Sequence, residues 1–116
     1  MPTDDDTTVA QLRRAVADFI RERDWEQFHD PKNLAMAIAT EAAELMEHFR
    51  WAHNDASREM VRDPRTLQAV SEELADILAF VLSFANAAGI DVTAALQAKM
   101  AKNAQKYPAE EYQGRY

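Results

Sequence analysis

Cysteine is missing from all 116 residues, which excludes disulfides, cysteine nucleophiles and thiolate metal sites while saying little about compartment. Glycine occurs only twice and proline four times. With so few breakers, and with alanine, leucine, glutamate, glutamine and arginine plentiful, the composition predicts an all-α fold rather than a turn-rich sheet. Positive charge is also scarce: 13 Lys and Arg stand against 20 Asp and Glu, for a formal net charge of −7. A chain without a basic stripe is a poor partner for nucleic acid or an anionic membrane. The longest near-apolar run, Ile77 to Ile90, carries Ser83 and Asn86 and falls short of the roughly 20 residues that span a bilayer. Met1, Pro2 and Thr3, followed by Asp4, Asp5 and Asp6, form neither the cationic start nor the apolar stretch of a secretory signal. The expectation is a soluble, cytoplasmic protein with no nucleic-acid or membrane partner. Its length fits one domain over residues 1–116, with 1–6 and 108–116 as flexible tails.

What is present is helical punctuation. Val9, Leu12, Val16, Phe19 and Ile20 recur at helical spacing and predict an amphipathic helix from about Thr7 to Asp24, capped by Asp6 or Thr7. Asp30-Pro31 reads as an N-cap followed by proline at the first helical position, opening a second helix from about Pro31 to Ala52. Asp63-Pro64 repeats that signature for a third helix reaching Ala88, where Gly89 stops it. Asp91 caps a fourth helix running to about Gln105. The loop 25–29 is rich in aromatics, and the polar stretch 53–62 has room for a short helical turn. Together these segments predict a four-helix bundle. The third helix is apolar on nearly every side, through Ile77, Leu78, Phe80, Val81, Leu82 and Phe84. A helix apolar all round must be buried all round, which predicts a second subunit packed against it.

Two acidic pairs carry the chemistry. Glu41 and Glu44 lie at i and i+3 on the second helix, and Glu73 and Asp76 at i and i+3 on the third, so each pair presents two carboxylates from one face. Both pairs border apolar stripes, Leu34, Ile38 and Leu45 on one helix and Val70, Ile77 and Phe84 on the other. They therefore face the zone between helices, where four carboxylates repel one another unless a cation lies among them. Oxygen-only donors point to a hard ion such as Mg²⁺, whose remaining positions are filled by waters and phosphates. A diiron bundle would need Glu-x-x-His pairs, and the chain offers only Glu44 with His48 at i+4. The plainer alternative is that such pairs are solvated helix faces, as Glu47 is expected to be.

Glu41-Ala42-Ala43-Glu44 with Glu73-Leu74-Ala75-Asp76 resembles the E-x-x-E and E-x-x-D signature of the MazG-like all-α nucleotide pyrophosphohydrolases. The flanking segments 25–34, 49–51 and 99–108 are most similar to the dCTP pyrophosphatase subgroup. The resemblance implies a helical, homo-oligomeric protein, a tetramer or a dimer, that cleaves a nucleoside triphosphate to the monophosphate and pyrophosphate. It implies Glu41, Glu44, Glu73 and Asp76 as Mg²⁺ ligands and catalytic groups. It also places Trp25, Phe28, His29, Trp51 and Phe80 around the base, and Lys99, Asn103, Lys106 and Tyr107 around the rest of the nucleotide. Two departures stand out: Ala42 and Ala43 replace a frequent glycine, and Phe80 replaces a common tyrosine. The competing readings are the same chemistry on dUTP or another triphosphate, and a non-enzymatic helical interaction module. Each accessory residue has a plainer role too: the tryptophans as packing groups, His29 as a backbone partner near a cap, and the lysines as cations favoured by a helix C-terminus.

Overall fold

The structure is a computed structural model and describes residues 1–115; Tyr116 lies outside them. Helix α1, Val9–Glu22, starts two residues later than its spacing suggests because Thr8 closes a capping box: Gln11 N–H donates to Thr8 Oγ1 at 3.1 Å and Thr8 N–H to Gln11 Oε1 at 2.7 Å. It also ends early, since Asp24 takes a left-handed φ of 54° that no α-helix can continue through. A 3₁₀ turn at Glu26–Phe28 then leads to α2, Pro31–Glu47, whose Asp30 cap accepts from Asn33 N–H at 2.9 Å. Helix α2 stops short of the expected Ala52. Beyond Glu47 the backbone tightens, with Phe49 N–H bonded to Met46 and Ala52 N–H to Phe49, each at 2.9 Å.

The polar stretch that follows forms α3, Asn54–Met60. Helix α4, Pro64–Ala88, has the boundaries its caps predict, with Asp63 accepting from Thr66 N–H and Gly89 in the left-handed conformation at φ 66°. Helix α5, Val92–Lys106, is capped by Asp91 as expected. One more turn, α6 at Ala109–Tyr112, occupies the segment expected to be a flexible tail, and Tyr112 meets Tyr107 edge-on at 5.2 Å.

The packed unit consists of α1 and α2 laid against α4. Its centre is small: Ile20, Leu34, Leu82 and Ala85 are the buried apolar residues, joined by Ser83, whose hydroxyl donates to Ala79 O at 2.9 Å. Arg13 ties α1 to the end of α4, donating from Nε to Asn86 Oδ1 at 2.9 Å and from Nη1 to Ile90 O at 2.6 Å; Asn86 Nδ2 donates back to Arg13 O. The expected four-helix bundle is not closed within one chain. Helix α5 leaves α4 at a 102° bend, and only Val92 and Asn103 along it are partly buried. One stripe along α4 stays open, exposing Leu67, Leu74, Leu78 and Val81. No single helix among the described residues is long and apolar enough to cross a membrane.

Candidate metal and nucleotide site

Where α2 lies along α4, Glu41, Glu73 and Asp76 each bring a carboxylate oxygen within 4.8 Å of the other two. The i, i+3 spacing within α4 sets Glu73 and Asp76 one turn apart on a common face, and α2 supplies Glu41 from across the groove. Glu44 lies outside that grouping but adjoins it, and its negative charge acts on both Glu41 and Glu73. Glu41 and Glu73 are partly buried, Glu44 and Asp76 exposed.

The pKa values of both partly buried acids are raised above the ordinary glutamate value. For Glu41 the first cause is lost hydration, followed by the hydrogen bond and negative charge of Glu44 and the charges of Asp76 and Glu73. For Glu73 it is again lost hydration, then the charge and hydrogen bond of Glu44, with His48 acting in the opposite direction. Oε2 of each is shielded from water and has no hydrogen-bond partner. Such an oxygen is costly to leave unsatisfied. Several oxygens crowded together, two of them orphaned and with no thiolate near, suit a hard divalent cation.

A cavity of about 440 Å³ opens beside this cluster. Val16, Phe19 and Ile20 from α1, Trp25 from the following loop and Phe80 from α4 supply apolar walls. Phe19 and Trp25 meet edge-on at 5.9 Å, fixing one corner. The polar lining is His29, Ser83 and Asp76. His29 Nδ1 is buried without a partner, while the Ser83 proton is already committed to Ala79. Asp76 thus belongs both to the acidic cluster and to the cavity wall.

The accessory residues are divided by the fold. Trp25, His29 and Phe80 line the cavity together. Phe28 does not line it and is 58% exposed; Trp51, beyond the end of α2, is 87% exposed, with Arg50 stacked on it. Lys99, Asn103 and Lys106 are carried away on α5, and Lys106 lies over the Tyr107 ring at 5.2 Å. No lysine among the described residues is paired with the four acids.

Residues 36–115 match the profile of the MazG-like family. The chain belongs to the MazG-like family. Among relatives of this MazG-like chain, dCTP pyrophosphatase 1 of Bos taurus is 40% identical over 101 residues, covering 87% of the chain and 60% of that protein. Its Homo sapiens counterpart is 39% identical over 102 residues, with coverages of 88% and 60%. The chain therefore spans about 60% of the length of the curated relatives it matches. A crystal structure of a pyrophosphatase from Archaeoglobus fulgidus superposes with a TM-score of 0.79 at 37% identity, covering 85% of this chain and 91% of that one.

Sequence reasoning missed the contribution of α1 to the MazG-like site. Val16, Phe19 and Ile20 read as an ordinary amphipathic stripe, and nothing local distinguishes a side chain that packs in a core from one that walls a cavity. The one available hint was the closeness of Phe19 to the aromatic loop at Trp25.

Proposed function

We propose that this MazG-like protein is a Mg²⁺-dependent nucleoside triphosphate pyrophosphohydrolase whose substrate is dCTP or a modified dCTP. The observation that carries the reading is the sharing of Asp76: a cavity fit for a planar base and a cluster fit for a cation meet at one side chain. The names of the bovine and human relatives supply the choice of dCTP. The reaction takes a triphosphate and water to the monophosphate and pyrophosphate.

In this reading Glu41, Glu44, Glu73 and Asp76 hold Mg²⁺. The ion supplies the positive charge that lets a polyanion of about four negative charges rest among four carboxylates. Glu41 and Glu44, neighbours on one helix face, are the groups placed to orient the attacking water and accept its proton. The ring faces of Trp25 and Phe80 hold the base and exclude water, and His29 Nδ1 offers the cavity's free polar atom to its edge.

The same reading makes the working protein a homo-oligomer, a tetramer in the first instance. The bare stripe Leu67, Leu74, Leu78 and Val81 recurs on one side of α4 and is the surface for a second copy, which also closes the four-helix arrangement. Lys99, Asn103, Lys106, Tyr107, Phe28 and Trp51, which do not reach the cluster in their own chain, act at the nucleotide when copies are assembled. Pyrophosphate release from dCTP, methylated dCTP and dUTP, measured with and without Mg²⁺, tests the proposal. Mg²⁺-dependent release, fastest from dCTP or its methylated form, is expected. No metal-dependent release from any of them would leave a helical interaction module, and a preference for dUTP would overturn the choice of base.

A further inference from the structure

His48 follows Glu41 by seven residues and Glu44 by four. Leu34, Glu41 and His48 form one column along α2 that drifts by only about 20° per step. Leu34 is the most buried side chain of the core at 2% exposure, so this column faces α4. The register persists to the end of the helix, since His48 keeps helical dihedrals of −65° and −23° as the C-cap of α2.

The consequence is a contact across the groove: His48 Nε2 lies 3.9 Å from Glu73 Oε1, with the two side chains only 30% and 23% exposed. Among the described residues it is the one basic group within ion-pair distance of any of the four acids. The two oxygens of Glu73 are thereby divided. Oε1 faces the imidazole, whereas Oε2 is buried and unpartnered on a carboxylate that belongs to the cluster.

We infer that His48 is a positioning residue of the metal centre, holding Glu73 by Oε1 so that Oε2 is presented to the cation. This rests on reading the acidic cluster as a divalent-cation site. The gap of 3.9 Å is a small side-chain rotation away from a hydrogen bond of about 2.7–3.2 Å. A carboxylate tethered through one oxygen loses less freedom when the other binds an ion, and removing such outer partners commonly costs about 10–100-fold in metal affinity. His48 itself does not line the substrate cavity and is not one of the Glu41–Glu73–Asp76 grouping; it meets that grouping only through Glu73.

Isothermal titration of Mg²⁺ into the full chain, as wild type, His48→Leu and His48→Gln, tests the inference without any turnover measurement. His48→Leu is expected to weaken Mg²⁺ about 10–100-fold with its helical circular dichroism unchanged. His48→Gln, whose amide nitrogen reaches where Nε2 lies, is expected to recover most of the affinity. Wild-type affinity in the leucine variant would overturn the role of His48 alone. A glutamine variant as weak as the leucine one would also overturn it, reducing His48 to packing. Should the wild-type chain bind no divalent cation, the metal-site reading and this inference fall together.

Discussion

Glu41 on α2 and Asp76 on α4 approach to within 4.8 Å of one another through their carboxylate oxygens, although each comes from a different helix and neither is ion-paired with a basic residue among the described residues. Two like charges so placed strain the fold unless a proton or a cation intervenes. This gives the protein a stability that depends on which of the two is present.

The pH dependence follows from the raised pKa values of Glu41 and Glu73. A carboxyl whose folded pKa exceeds its unfolded value holds its proton more tightly in the native state. Its contribution is fully present below the ordinary glutamate value of 4.5 and is lost as pH rises through the raised folded value. Calorimetry in chelator should therefore show the thermal midpoint falling across that window. Asp6, lowered by bonds to Thr3 and Thr7, acts in the opposite sense at lower pH, so the difference between wild type and Glu41→Gln isolates the cluster. Millimolar Mg²⁺ should restore the wild type at neutral pH. A midpoint indifferent to both pH and Mg²⁺ would contradict the account.

Replacing one acid by its amide should separate stability from function. Glu41→Gln removes repulsion from Glu44, Glu73 and Asp76 and should raise the metal-free thermal midpoint by roughly 2–5 °C. The same change should lower pyrophosphate release by more than about 100-fold, since loss of even an outer-shell partner costs about 10–100-fold. Asp76→Asn should lose activity in the same way. Near-normal turnover in either variant would remove that residue from the site.

The cavity wall gives a prediction about binding. Trp25→Ala should weaken nucleotide binding by about 1–3 kcal/mol, or roughly 5- to 150-fold in Kd, because its indole forms a corner with Phe19 beside Asp76. Trp51→Ala is the contrasting case. With its indole 87% exposed, the substitution should leave folding stability within about 0.5 kcal/mol of wild type. Its effect should instead fall on nucleotide affinity, through the proposed oligomer. Fluorescence titration with a non-hydrolysable dCTP analogue measures both, and an unchanged Kd for Trp25→Ala would exclude the cavity as the base site.

How much of this was legible in the sequence depends on range. Asp30-Pro31, Asp63-Pro64, Asp91 and Gly89 mark helix ends through bonds to residues three or four positions away, and the structure puts caps at those places. The meeting of Glu41 with Glu73 and Asp76 was also legible, because helical spacing and the neighbouring apolar stripes jointly point both pairs at the same groove. The early ends of α1 and α2 were not, since the first depends on a left-handed Asp24 and the second on a tightening turn without glycine or proline. The placement of Phe19 opposite Phe80, the clamp of Arg13 on Asn86 and the departure of α5 arise from contacts between distant segments, which no local pattern encodes.

The bare side of α4 yields the last prediction. Leu67, Leu74, Leu78 and Val81 are 36–58% exposed and fall within about 60° of one another around the helix axis. An apolar stripe of that length left bare in the single chain is the surface that the proposed assembly would cover. Leu74→Glu combined with Leu78→Glu should dissociate the oligomer, because paired copies would bury like charges against each other. The isolated chain should keep its helical content, since neither leucine belongs to the buried core of Ile20, Leu34, Leu82 and Ala85. Sedimentation equilibrium reads the mass. Activity should fall with dissociation even though Glu41, Glu44, Glu73 and Asp76 are untouched, because Lys99 and Lys106 lie on a helix that leaves its own chain's site. A monomeric double variant with full turnover would show that one chain's site is complete in itself.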